Sequence, residues 1–154
     1  MNCLSFDVGG TTIKYGVINN SYEVIHKDKI PTPKDEEKFI ESLSEIIHKN
    51  INNISKVSVG MPGYVNVASN KYLYGPQLPF EIDFSKLSNF SDYEFYLDND
   101  GNVAAYCEYF LNYKNKYSNL IMLTFGTGVG GGLISEGRWL RGSGNAGEVG
   151  HMLT

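Results

Sequence analysis

Residues 2–8 form a short apolar run that ends at Asp7 and gives way to Gly9-Gly10-Thr11-Thr12. Two further segments, 13–18 and 22–30, are rich in β-branched and aromatic residues and are separated by Asn19-Asn20. Three antiparallel strands follow from that pattern. Thr32-Pro33 then offers an N-cap with proline at the first helical position, and Asp35, Glu36 and Glu37 put negative charge in the first turn. Phe39, Ile40, Leu43, Ile46 and Ile47 recur at helical spacing, so 34–49 is expected to be an amphipathic helix.

Residues 56–60 read as a short buried strand feeding Met61-Pro62-Gly63. Residues 64–80 hold short β-like pieces, and 82–90 suggest a short helix. Residues 94–97 are a strand ending in Asp98-Asn99-Asp100-Gly101-Asn102. The helix after it is expected to present Val103, Cys107, Phe110 and Leu111 on one apolar face. A strongly apolar strand at 120–125 leads into Gly126-Thr127-Gly128-Val129-Gly130-Gly131-Gly132. Then come β-like 133–135, a turn, 138–140 and a glycine-rich loop over 142–154. Strand, Gly/Thr turn and strand therefore occur twice, near Gly9 and near Gly128, which suggests two half-domains facing one cleft.

Composition adds exclusions. Of 154 residues 42% are hydrophobic and 19% charged, enough for a soluble core. A net charge of −4 with no Lys/Arg cluster argues against a nucleic-acid surface. No signal peptide or membrane-length apolar run is visible, so a cytoplasmic protein without membrane partners is expected. Cys3 and Cys107 lack close spacing and read as free thiols packed as small apolar groups.

Four segments carry candidate chemistry. In Asp7-x-Gly9-Gly10-Thr11-Thr12-x-Lys14 the glycines let backbone N–H groups approach an anion, and the threonine hydroxyls add donors. Asp7 could hold a hydrated Mg²⁺ bridging phosphates, and Lys14 could add a positive charge or only fix the hairpin. Gly126–Gly132 contains G-x-G-x-x-G, but a dinucleotide site needs a helix there, and three successive glycines cost a helix on the order of 1 kcal/mol each. A tight turn offering backbone donors and the Thr127 hydroxyl to a phosphate, or a hinge, are the two readings left. Asp98, Asn99 or Asp100 could simply cap the next helix. Alternatively Asp100, ionised near a helix N-terminus, is a base for a substrate hydroxyl, with Asn99 and Asn102 reading sugar hydroxyls. Glu148 and His151 stand in a loop too rich in glycine for a di-iron helix, and suit hydrogen bonds to a polyol.

In order, DVGGTTIK, NDGNVAA, GTGVGGG and AGEVGH resemble the ROK family of repressors and sugar kinases, and the resemblance covers essentially the whole chain. It implies an α/β protein of the actin-like ATPase (ribonuclease H-like) fold. Residues 1–117 would form an N-terminal lobe with a mixed sheet, and 118–154 the start of a second lobe. It implies ATP-dependent phosphorylation of a hexose or hexose derivative, as by glucokinases, N-acetylhexosamine kinases and β-glucoside kinases. Asp7, Gly9, Gly10, Thr11, Thr12, Lys14, Thr127 and Gly128 would hold the ATP phosphates, with magnesium held through water by Asp7. Asp100 would be the catalytic base. Gly63, Asn99, Asp100, Glu148 and His151 would contact the sugar, and His151 would also bind a structural zinc. Full-length relatives would be homodimers.

The chain departs from the family pattern at Gly101 and Val103, where alanine is common, and stops before the Cys-rich zinc motif. The expectation is a truncated kinase, inefficient by itself, with an unpaired sheet edge beyond 120–140. Two other readings are a sugar-binding remnant without catalysis and a family regulator lacking its DNA-binding domain. Against the regulator, Asp7 follows the first methionine almost directly.

Overall fold

The computed structural model describes residues 2–126, 128–144 and 146–151, with only the backbone of His151. By packing the chain forms two compact units, Met1–Asp98 and Asn99–Thr154. No helix among the described residues is long and apolar enough to cross a membrane.

In the first unit β1 (Asn2–Val8), β2 (Thr12–Ile18) and β3 (Val24–Pro31) make the expected antiparallel run. Helix α1 (Glu36–Asn50) then returns the chain to β4 (Ile54–Met61), which lies parallel to β1. With β8 (Glu94–Asn99) they form a five-stranded mixed sheet in the order β3-β2-β1-β4-β8. Alternation along β1 buries Leu4, Phe6 and Val8 in one cluster with Phe39, Leu43, Ile46 and Ile47 of α1 and Val57, Val59 and Met61 of β4. The same alternation sends Cys3, Ser5 and Asp7 to the opposite face. Cys3 is therefore half-buried rather than part of the apolar core, with its sulfur 3.6 Å from Ser58 Oγ, and burial raises its thiol pKa.

Helix α1 starts later than its sequence suggests. Its cap is Asp35, whose carboxylate accepts the N–H of Lys38 at 2.9 Å. Thr32 is not a cap at all; it is buried, and its hydroxyl is spent on the Gly9 carbonyl. After β4 come β5 (Tyr64–Asn66), β6 (Lys71–Tyr74) and β7 (Ile82–Asp83), a small antiparallel sheet. The expected helix over 82–90 is instead β7 followed by 3-10 turns at Phe84–Lys86 and Phe90–Asp92. Asp83 drives that outcome, because its side chain accepts both the N–H and the hydroxyl of Ser85 in a local turn.

The second unit holds α2 (Asp100–Glu108), extended by a π turn at Tyr109–Tyr113, and a sheet in the order β11-β10-β9. Its strands are β9 (Leu120–Phe125), β10 (Val129–Ser135) and β11 (Arg138–Leu140). The apolar-face expectation for α2 was wrong. Gly101, Asn102, Ala105 and Tyr109 are buried, whereas Cys107 and Leu111 are exposed. Small residues face inward because α2 lies almost on the backbone of β10: a Cβ on Gly132 would collide with that of Ala105. Among the described residues β9 is an edge strand, and Ile121, Leu123 and Phe125 are exposed along one of its faces.

Candidate functional site

In the first unit the candidates gather at one end of β1. Asp7 lies opposite Lys14 in the β1–β2 register, and the ammonium stands 3.4 Å from the carboxylate with both side chains exposed. Beyond them the chain turns at Gly9–Thr12, where the N–H of Gly9 donates to the Thr12 carbonyl at 3.0 Å. A Cβ on Gly10 would fall 3.0 Å from Gln77 Cβ, so the bare α-carbon lets the turn lie against residue 77. Thr11 is exposed and Thr12 half-buried.

Two residues that sequence reasoning missed tie this turn down. Thr32 binds it through hydroxyl and backbone, and the Lys34 ammonium donates to the Gly10 carbonyl. The signal was present as a threonine fixed in extended backbone by the following proline, but it also fits a helix cap.

Gly63, between β4 and β5, has φ +126°, a backbone only glycine adopts readily, and a Cβ there would come 2.7 Å from the Tyr74 carbonyl oxygen. The adjacent Tyr72 is fully buried with its hydroxyl donating to the Leu78 carbonyl at 3.0 Å, and burial pushes its phenol up to about 12.

In the second unit the ambiguity over the α2 cap resolves. Asn99 is the cap: its side-chain oxygen accepts the N–H of Asn102 at 3.0 Å, and it is buried. Asp100 sits at the first helical position, exposed, with one carboxylate oxygen accepting the N–H of Gly101 at 2.8 Å. Asn102 does not reach outward towards a ligand; it is buried and its amide donates to the Gly144 carbonyl at 2.7 Å.

The glycines of three motifs meet on β10. A Cβ on Gly101 would lie 3.0 Å from the carbonyl oxygen of Gly131, and one on Gly147 would lie 2.5 Å from the same oxygen. Asp100 and Glu148 are each the immediate neighbour of a glycine seated on Gly131. Backbone-to-backbone packing thus brings the aspartate motif and the Glu148 loop together, with Glu148 half-buried. At the start of β10 the geometry differs. The N–H of Gly126 donates to Gly128 at 2.9 Å, and a Cβ on either would meet nothing within 4 Å. Thr127 and the side chain of His151, both expected at the site, lie outside the described residues.

Asp7 offers an exposed hard oxygen at a strand end, which fits a cation held through water. The zinc expectation rests on the His151 side chain, which lies outside the described residues. Among the described residues no group of three or more His, Cys, Asp or Glu comes together.

The family model "ROK family" matches residues 3–154. A glucokinase from Halalkalibacterium halodurans is 31% identical over 159 residues, covering 95% of this chain and 48% of the relative. An N-acetylmannosamine kinase from Vibrio cholerae is 32% identical over 158 residues, covering 99% of this chain and 54% of the relative. Among solved structures, a ROK family glucokinase from Streptomyces griseus in complex with glucose and AMPPNP superposes with a TM-score of 0.84 at 27% identity, covering 99% of this chain and 50% of that one. The chain spans about half the length of the curated relatives it matches.

Proposed function

The chain belongs to the ROK family, and from that premise we propose that it carries the phosphate turn and the catalytic base of an ATP-dependent sugar kinase. The lobe division 1–117 and 118–154, which differs from the packing boundary at Asp98/Asn99, is part of the same proposal, as are a cytoplasmic setting and a homodimeric whole protein.

The observation that carries the reading is the convergence on Gly131. The segments that carry an exposed Asp100, at a helix N-terminus, and Glu148 are brought together by Gly101 and Gly147 packed on Gly131 of β10. Such an arrangement suits a polyol: one carboxylate orients and deprotonates the attacking hydroxyl while the other accepts a second hydroxyl. In the reaction, the sugar oxygen forms a bond to the γ-phosphorus and the bond from that phosphorus to the β–γ bridging oxygen breaks. ADP leaves, and the hydroxyl proton passes to Asp100. The loose transition state of phosphoryl transfer asks little of the base until late, so a carboxylate suffices.

Gly9, Gly10, Thr11 and Thr12 would hold phosphate through backbone and hydroxyl donors, joined by Lys14, Thr127 and Gly128. Magnesium, held through water by Asp7, would neutralise charge on the phosphates. Gly63, Asn99 and His151 complete the proposed sugar contacts. A structural zinc would take His151 as one of its ligands. The sugar names of the relatives, glucose-type and N-acetylmannosamine, point to hexoses and N-acetylhexosamines as the substrate class.

Calorimetric titration of the chain with glucose, N-acetylmannosamine and N-acetylglucosamine, paired with sugar-dependent release of ADP from MgATP, tests this. Saturable binding of at least one sugar is expected. A chain that binds none of them and transfers no phosphate to them sinks the proposal.

A further inference from the structure

Residues 32–34 contact the glycine turn at three successive points. The buried Thr32 donates its hydroxyl to the Gly9 carbonyl at 2.7 Å, and its backbone N–H donates to the Thr11 carbonyl at 2.9 Å. Between them, the Lys34 ammonium donates to the Gly10 carbonyl. Three consecutive carbonyls of one turn therefore all face one three-residue segment.

Peptide geometry converts that fact into a statement about the other side. All the peptide bonds here are trans, and in a planar trans peptide the C=O of one residue and the N–H of the next point in opposite directions. The N–H groups of Gly10, Thr11 and Thr12 are accordingly each directed away from residues 32–34. Successive backbone N–H groups turned to one side make an anion-binding concavity. The choice of residue at position 32 also follows. Pro33 restricts Thr32 to extended backbone, β-branching stiffens its χ1, and its methyl tolerates burial while its hydroxyl reaches Gly9.

We propose that Thr32 is a positioning residue for phosphate binding: by fixing the carbonyls of Gly9 and Thr11 it aims the backbone N–H groups of Gly10 and Thr12 at the ligand, while Lys34, through the Gly10 carbonyl, does the same for Thr11. This role rests on the phosphate assignment made above for the Gly9–Thr12 turn. It goes beyond that assignment in placing control of the turn in a segment outside the turn itself.

The test uses magnesium tripolyphosphate, which presents the phosphates without a base or a sugar. Calorimetry gives its affinity for the wild-type chain, Thr32→Val and Thr32→Ser, and amide NMR follows Gly10, Thr11 and Thr12 on titration. The wild type binds with shifts at those three amides. Thr32→Val keeps the shape and loses the hydroxyl donor; it binds roughly tenfold more weakly, as expected for one lost hydrogen bond, with the largest loss of shift at the Gly10 amide, which shares its peptide with the freed Gly9 carbonyl. Thr32→Ser restores both. If Thr32→Val binds as tightly as wild type, or the serine variant does not restore binding, the positioning role is wrong while the phosphate turn stands. If the wild type itself fails to bind tripolyphosphate, the phosphate turn is wrong and this role goes with it.

Discussion

The side-chain amide of Asn102 donates to the carbonyl of Gly144 at 2.7 Å, and both residues are buried. One asparagine thus joins two motifs that are 42 positions apart. Its backbone N–H is held by the Asn99 cap, and its side chain holds the loop leading to Glu148.

Removing that donor leaves a buried carbonyl without its partner. Asn102→Ala is expected to lower unfolding stability by about 1–3 kcal/mol. Asn102→Asp, which sets a carboxylate oxygen against the Gly144 oxygen, is expected to cost at least as much. Urea unfolding midpoints of the three proteins measure both. An alanine variant as stable as wild type would show that the contact is incidental.

The glycines of Gly126–Gly132 divide into two kinds, and substitution separates them. A Cβ at Gly132 would collide with Ala105 and approach the Gly101 carbonyl oxygen to 3.1 Å. Gly132→Ala must push α2 off β10, and overpacking of this sort costs typically about 1–3 kcal/mol. At Gly126 the same change meets open space, so Gly126→Ala is expected within about 0.5 kcal/mol of wild type. Thermal unfolding of both variants checks the contrast, which disappears if the glycine run is only a flexible hinge.

That division explains what the sequence disclosed and what it hid. Strands β1 and β2 and helix α1 were legible because apolar patterning recorded a buried face, as at Leu4, Phe6 and Val8 or Phe39, Leu43 and Ile47, whereas β3 and β9, which carry no fully buried residue, were legible from their β-branched and apolar composition. The inward face of α2 was not legible. Its partner is a glycine strand, so the buried residues are Gly101, Asn102 and Ala105 and carry no apolar signal. Thr32 was misread for a different reason. Threonine before proline fits a helix cap and a buried strap equally well, and only the fold shows that the turn at Gly9 runs beside it. Of the candidate site, the motifs were visible, but not the convergence of two of them on Gly131. That meeting depends on close backbone approach, which leaves no trace beyond the glycines themselves.

Stability at high pH reports on the core next to Gly63. Burial raises the Tyr72 phenol to about 12, above the value near 10 of a free phenol. A group whose folded pKa is raised contributes stability that is complete below the unfolded value and is lost as pH rises through the folded value. The wild type should therefore lose stability steadily between about pH 10 and about pH 12. Tyr93, likewise raised to about 12 by burial, adds to the same loss. Tyr72→Phe gives up the bond to Leu78 at neutral pH, a cost of about 1 kcal/mol, but has one phenol fewer to ionise. Its unfolding free energy should fall less steeply with pH, so that the two proteins converge. Parallel curves would mean that Tyr72 ionises without cost to the fold.

Asp100 is the residue on which the chemical proposal turns, and a one-atom exchange isolates its charge. Asp100→Asn retains an oxygen to accept the Gly101 N–H, so α2 should start as before. It removes the proton acceptor, and loss of a general base lowers turnover by roughly a hundredfold to ten-thousandfold. Sugar affinity should change only a few-fold, because an amide still bonds a hydroxyl. The decisive comparison is between kcat and sugar binding in the two proteins. If the substitution weakens binding as much as it slows transfer, Asp100 holds the sugar and the proton goes elsewhere.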